Sequence, residues 1–414
     1  MIRDVLDILT SPGYVTLLEG QPGAGKTSLA LKACSKVKKC TYISYADPES
    51  SLKKKLRQIA PEFDEELEVI NAMSGPVESV FSEILDSLTE GRLVVLDTLD
   101  AMLFGLKNDV SLRSFLQLLY GSVKGKSSSM IMIAEGTNAA AEQLRFISDA
   151  IIRLSFEKVL GQKARVLKIL KDRDYAVENG TVYFTLSNGL QLFYPEDYSV
   201  KRQIKRLSYV KKGPAAEPAN LVKLGGTVLV EIDEDVPSAL VRQYMYFSAL
   251  NDLLKGYRVN LLVPPDESAE SIMDDLKVAG DLLSNVKVFH PDAEAVGYDP
   301  DEFIEQIKKN IFIENSVDYV DLLSEENFAV IKPNGFELFL RKILEINSKR
   351  ASIVHAYGYE NMVSTQLEKK YVKLHRKLAI VNGLLMGRSI RPFGKLKYIR
   401  MDPENGEMEF IEMK

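Results

Sequence analysis

Along the first half of the chain, short continuous apolar runs alternate with stretches whose apolar residues recur every three to four positions. The runs are YVTLLEG, CTYISYAD, LEVINA, RLVVLD and SMIMIAE, and between them lie KTSLALKACSKV, SLKKKLRQIA, VESVFSEILDSLTE and VSLRSFLQLLYGSVKG. A run that is apolar throughout suits a strand covered on both faces. The pattern therefore predicts an α/β unit built on a mostly parallel sheet with helices on both sides. AIIRLSFEKVLGQKARVLKILKDRD and GTVYFTLSNGLQLF read differently: they alternate and carry turn signals at VLGQ, ENG and SNG, as hairpins at one sheet edge do.

After Tyr194 and Pro195 comes KRQIKRLSYVKKGPAAEPAN, a basic segment ending in a Pro/Ala/Gly linker, and then the pattern restarts. GGTVLVEI and ALVRQYMYFSALNDLLKG parallel the first strand and helix; YRVNLLVPP, ESIMDDLKVAG and NVKVFHP follow in the same order. YVDLLSEENFAVI, GFELFLRKILEINSKR and ASIVHAYG take the places of the middle strands and helix, and the tail from Ala379 takes that of the edge hairpins. The preserved order predicts an internal duplication, with a first domain over 1–198, a linker over 199–222 and a second domain over 223–414.

The first strand runs into GQPGAGKT, which fits G-x-x-x-x-G-K-[ST] in the context that motif requires, after an apolar strand and opening a helix. Gly20, Gln21, Pro22, Gly23, Ala24, Gly25, Lys26, Thr27 and Ser28 are the expected nucleotide-binding residues. The glycines let backbone N–H groups turn toward a phosphate, and the helix start adds partial positive charge. Lys26 is expected on the β- and γ-phosphates and Thr27 on Mg²⁺. RLVVLD supplies the partner acid, Asp97, with Thr98 beside it and Asp100 as a helix cap. For the attacking water there are Asp47 as base, Glu49 (which could equally cap the next helix) and Glu135, each at the carboxyl end of a core strand. No N-K-x-D guanine-reading run occurs, so the expected cofactors are ATP and Mg²⁺.

Composition narrows this only a little. With 414 residues, 46% apolar and 27% charged, the chain has room for two folded domains. A formal charge of -5 gives no bulk attraction to nucleic acid or anionic membrane. The start MIRDVLDILTSPG has no long apolar segment, and no membrane span is read anywhere, so a cytoplasmic location is expected. Cys34 and Cys40 have no metal-like spacing and read as free thiols; His290, His355 and His375 are scattered.

Together Gly20–Thr27, Asp97 and Glu135, followed by FISDAIIRLSFE and RVLKILKDRD, resemble the RecA superfamily, and within it the KaiC-like branch of archaeal and bacterial ATPases. The resemblance covers about 1–195 well and the remainder by pattern only. The duplicated layout also resembles, more loosely, the archaeal GvpD-type group. The KaiC-like resemblance implies an ATPase fold and a Lys and an Arg that reach a neighbouring site; Lys171 and Arg173 stand at those positions in KILKDRD. In a ring or filament, or with the two halves face to face, they would act as fingers on the γ-phosphate. Where the family usually presents paired glutamates after the second strand, this chain has Ala46–Asp47, which implies slow turnover.

In the second half, aligning Glu231 with Glu19 puts Asp233, Glu234, Asp235, Val236, Pro237 and Ser238 over Gln21 to Lys26. The glycines and lysine are gone, the acids would repel a triphosphate, and NFAVIKPNG offers no carboxylate to match Asp97. No nucleotide is expected there. Two basic runs, KRQIKRLSYVKK and EKKYVKLHRKLAIVNGLLMGRSIRPFGKLKYIR, read first as solvated faces and second as a nucleic-acid surface. The expected protein is a regulatory or assembly ATPase with a protein partner and self-association. The rivals are a DNA-dependent recombination-type ATPase, a non-hydrolysing ATP-binding module and, more weakly, a P-loop kinase.

Overall fold

The computed structural model describes residues 2–61, 63, 67–72, 77–97, 109–124, 127–135, 139–198, 204–206, 226–263, 268–289, 311, 315–321, 341, 345, 347, 352–362, 365–366, 369–370, 372 and 374–413. Thr98, Asp100, His290, most of the linker, and the segment NFAVIKPNGFELFL lie outside these residues. By contacts the chain separates into two compact units, the first over Met1–Lys158, Lys163–Tyr194 and Met413–Lys414 and the second over Val159–Gln162 and Pro195–Glu412.

Unit 1 carries strands β1 (Val15–Gly20), β2 (Cys40–Ser44), β3 (Glu68–Asn71), β4 (Leu93–Asp97), β5 (Ser129–Ala134), β6 (Ala150–Val159), β7 (Gln162–Asp172), β8 (Thr181–Thr185) and β9 (Gln191–Phe193). Its helices are α1 (Val5–Thr10), α2 (Lys26–Cys34), α3 (Glu49–Ile59), α4 (Val77–Thr89), α5 (Asp109–Val123) and α6 (Ala139–Ile147). The sheet order is β3-β2-β4-β5-β1-β6-β7-β8-β9. The strands from β3 to β6 pair parallel, and β7 to β9 pair antiparallel. β1, β2, β4 and β5 are buried along nearly their whole length, which is why they read as unbroken apolar runs. One face packs Leu18, Tyr42, Val95 and Ile133 with α2 and α3; the other packs Leu17, Ile43, Leu96 and Met132 with α4 and α5.

Unit 2 carries β10 (Thr227–Ile232), β11 (Arg258–Leu262), β12 (Val286–Phe289), β13 (Ser316–Asp321), β14 (Ile353–Tyr359), β15 (Leu374–Val381), β16 (Leu384–Arg391), β17 (Lys397–Asp402) and β18 (Glu407–Glu412). Helices α7 (Ser238–Leu254) and α8 (Ala269–Asp275) and the 3₁₀ segment Lys277–Asn285 complete its described elements. Its sheet order, β12-β11-β13-β14-β10-β15-β16-β17-β18, is that of unit 1 with nine added to every strand number. The parallel and antiparallel pairings fall in the same places. The chain thus holds two tandem RecA-like α/β units. Among the described residues no helix is long and apolar enough to cross a membrane.

One expectation fails here. Cys34 and Cys40, read as free thiols, are joined by a disulfide, with Cα atoms 5.4 Å apart. Cys34 ends α2 and Cys40 opens β2, so a short return from helix to strand brings them together.

Candidate nucleotide site

The site is built at the carboxyl ends of β1, β4 and β5. Gly20 ends β1 against the backbone of β6, where an added Cβ would lie 2.0 Å from the Leu154 carbonyl oxygen. Its place thus rests on close approach as well as on its φ of 144°. The turn closes with Ala24 N donating to Gln21 O at 3.1 Å, and α2 starts at Lys26 behind Gly25, whose φ of 112° is left-handed. Lys26 is 5% exposed; its Nζ donates to Gly20 O at 2.8 Å and to Gln21 O at 3.2 Å.

Thr27 Oγ1 donates to Asp97 Oδ2 at 3.3 Å, which brings the hydroxyl and the strand-end carboxylate together. Sequence reasoning missed their third member. Tyr42, fully buried in β2, donates its hydroxyl to the same Asp97 oxygen at 2.5 Å. Burial first, and the Asp97 charge second, push the Tyr42 phenol well above its ordinary range, so it stays a proton donor.

Glu135 follows β5 and sits 3.5 Å from Lys26 Nζ, within the cluster. Asp47 follows β2; its backbone N–H donates to Ser44 Oγ at 2.9 Å, and its carboxylate pairs with Lys55 at 2.6 Å. Glu49 opens α3 and pairs with Lys53 one turn on, at 2.6 Å. Lys171 and Arg173 lie elsewhere. Lys171 Nζ donates to Ser148 O and Arg145 O, and Arg173 pairs with the buried Asp149 at 2.9 Å. Asp149 accepts from Val15 N, at the amino end of β1. That is a strand length, roughly 17 Å, from Gly20. Within its own unit this pair does not reach the glycine turn.

A second residue was missed. Arg165 of β7 donates Nη1 to Gly23 O at 2.6 Å and lies over the Phe156 ring at 5.0 Å. Its Nε is buried without a hydrogen-bond partner, and burial lowers the guanidinium's pKa. The alternating hairpin hid it, because every second side chain there reads as surface.

The donor set fits a nucleoside triphosphate with Mg²⁺. A lysine and a helix start face a turn opened by glycines, a hydroxyl meets a carboxylate beside them, and Arg165 keeps an unused donor near the turn.

The same place in unit 2 is differently furnished. Glu19 pairs in register with Ala134 and Glu231 with Gly358; one strand further out, Met132 faces Leu96 and Ala356 faces Val320. Asp97 therefore has a positional counterpart, Asp321, which corrects the expectation of none. Asp321 ends the strand that precedes NFAVIKPNG. Asp321 is 1% exposed and meets the Arg242 Nε at 3.2 Å, in the place where Asp97 meets Thr27. Glu135 corresponds to Tyr359, whose hydroxyl donates to Val236 O at 2.9 Å. The turn keeps its closing bond, Val236 N to Asp233 O at 3.1 Å, but Pro237 with φ −59° replaces the left-handed Gly25 and has no N–H to offer. Glu231 is held by Lys369 at 2.7 Å and His375 at 2.5 Å. Burial pushes its carboxyl up, yet hydrogen bonds from His375 and Lys369 outweigh this and bring it down to about 2.

A strand running into a glycine turn, a lysine-led helix and an acid on the next strand but one define a P-loop nucleotide-binding domain on a RecA-like sheet. More narrowly, the family model described as "ATPase: KaiC" matches residues 9–197, so that stretch is similar to KaiC-like ATPase domains. No curated protein matches the chain.

Proposed function

We propose that unit 1 binds ATP with Mg²⁺ and hydrolyses it slowly, and that occupancy is coupled to a change of shape or assembly in a regulatory protein. The observation that carries this is the convergence of Lys26, Thr27 and Asp97 at the glycine turn. Lys26 and the amides after Gly23 would take the β- and γ-phosphates. Thr27 and Asp97, steadied by Tyr42, would hold Mg²⁺, which neutralises phosphate charge. Asp47 orients the attacking water, with Glu135 beside Lys26 as the γ-phosphate contact. Slow turnover follows because Asp47 is already engaged by Lys55 and must leave that partner before it can orient a water. Lys171 and Arg173 act, on this reading, only on a neighbouring molecule's site, which makes self-association part of the proposal.

Unit 2 is proposed as a degenerate copy, a layout resembling the GvpD-type group, with no nucleotide of its own. An arginine on Asp321, a proline at the helix start and three acids in the turn support that reading. The test is phosphate release measured together with particle mass, for wild type and Lys26→Ala. Loss of turnover and of nucleotide-dependent assembly in the variant supports the coupling; equal values in both proteins sink it. The engaged Asp47 favours one second reading, an ATP-binding module without hydrolysis, which predicts tight ATP binding and no phosphate release from wild type.

A further inference from the structure

On the antiparallel side of the second sheet, a cavity of about 580 Å³ opens between α7 and the strands β15 to β18. Leu378, Gly387, Ile399 and Phe410 line its floor; Leu378 pairs with Gly387 and Ile399 with Phe410 across the strands. Gly387 keeps that floor low, because an added Cβ would lie 2.6 Å from Leu378 Cδ2. The lining also includes Arg376, Arg388, Lys395 and Lys397 against a single acid, Glu412, which Lys395 already binds at 3.0 Å.

Among the described residues, two of the cations lack acceptors. Arg376 occupies the strand position that in unit 1 belongs to Ile152, a residue with 0% exposure. Its half-buried guanidinium makes no hydrogen bond or ion pair among the described residues. Arg388 has a buried Nε without a partner, and its guanidinium lies 5.3 Å from the Phe393 ring centroid. Phe393 is 76% exposed at the rim. A guanidinium withdrawn from water is costly until an acceptor replaces that water, and its planar fork suits a phosphate. An exposed ring beside it suits a flat partner.

We propose that this cavity binds one nucleotide unit, its phosphate held by Arg376 and Arg388 and its base stacked on Phe393. The volume lies in the range of small-molecule sites. An acidic peptide would satisfy the arginines but would leave the ring without a planar partner. The unit could be a free nucleotide or part of a single strand. Either way the site is separate in sequence and in sheet from the P-loop.

The probes are adenosine monophosphate, which lacks the β- and γ-phosphates the P-loop grips, and a labelled short oligothymidylate, with an oligoglutamate as control. Calorimetry and anisotropy would be run on the full chain as wild type, Lys26→Ala, Arg376→Gln, Arg388→Gln and Phe393→Ala. The expected result is binding of at least one nucleotide probe equally by wild type and Lys26→Ala. Either glutamine variant should weaken it about ten-fold or more. Phe393→Ala, a surface change that leaves the fold alone, should weaken it about five-fold or more. Binding of the monophosphate assigns a free nucleotide; binding of the oligonucleotide alone assigns a strand. The proposal is overturned if neither probe binds, if only Lys26→Ala abolishes binding, if Phe393→Ala has no effect, or if the oligoglutamate competes as well as the nucleotide.

Discussion

The two units share one strand order and one turn, and differ in what fills the turn. Ala24 N bonds Gln21 O and Val236 N bonds Asp233 O at the same 3.1 Å, although not one glycine of the first turn has a glycine counterpart in the second. The chain reversal therefore does not need the glycines; the inward direction of the amides does. A second difference lies beneath the turn. In unit 1 the strand-end Asp97 meets two hydroxyls, from Thr27 and Tyr42, while in unit 2 the matching Asp321 meets a guanidinium. A hydroxyl does not neutralise the carboxylate that it bonds. A carboxylate bonded by arginine has spent its charge inside the protein.

The largest effect should come from breaking the internal pair. Arg242→Met takes the guanidinium away from the buried Asp321, and should cost about 3 kcal/mol of unit 2 stability in denaturant unfolding. Arg242→Met with Asp321→Leu should recover most of it. In unit 1, by contrast, Asp97→Asn should leave the nucleotide-free stability nearly unchanged and abolish the added stability that Mg·ATP confers. If the two acids respond alike, the contrast between them is wrong.

Next comes Lys26→Ala, expected to lower phosphate release by about a hundred-fold or more by removing a preorganised cation from the phosphates. Ser238→Lys, at the matching position of unit 2, should create no second site, since proline precedes it and Arg242 faces the acid behind it. A second mole of ATP bound per chain in Ser238→Lys would break the comparison.

Tyr42→Phe should act more gently. It removes one hydrogen bond to Asp97 and should reduce turnover about ten-fold, in kcat more than in KM, because Asp97 is loosened rather than lost. Arg165→Ala should show the opposite split, since Arg165 touches the turn at Gly23 and no strand-end acid.

These residues also mark where the sequence was legible. The core strands were readable because burial on both faces leaves no polar position to confuse the period, and GQPGAGKT because each residue type there answers a steric or electrostatic need. Tyr42 was hidden inside such a run, where a tyrosine reads as core and only the fold shows its hydroxyl reaching Asp97. Asp321 was missed for the opposite reason. Its strand SVDYVD carries acids, so the more apolar NFAVI nearby drew the assignment. Asp318 explains that composition: it is buried, and the Asn260 side-chain amide donates to it at 2.6 Å, so polarity there is internal rather than a sign of surface. Cys34 and Cys40 could not be paired from spacing, because their approach depends on where α2 ends and β2 begins.

The smallest effect separates the units by pH. His355 of β14 is buried, stacked on Tyr319 at 5.2 Å. Burial first, then the charges of Arg376 and Lys255, bring its pKa down to about 3. Asp252 lines the same small cavity, and the Tyr319 hydroxyl donates to its carboxylate. Because the folded pKa lies below the unfolded one, the unfolded chain takes up the proton first. His355 thus contributes its full stability above about pH 6.5 and loses it as the pH falls, at about 1.4 kcal/mol per unit. Glu231 has the same sign in a lower window: its contribution is complete above about pH 4.3 and fades as the pH falls toward 2. Between pH 6 and 5 the His355 effect therefore stands apart from that of Glu231. In denaturant unfolding of the full chain, His355→Phe, which keeps the stacking, should flatten the unit 2 transition over that interval and leave that of unit 1 where it was. An unchanged slope would mean that His355 takes up its proton in the fold, and that the polar cluster of Tyr319, Asp252 and Arg376 opens to water.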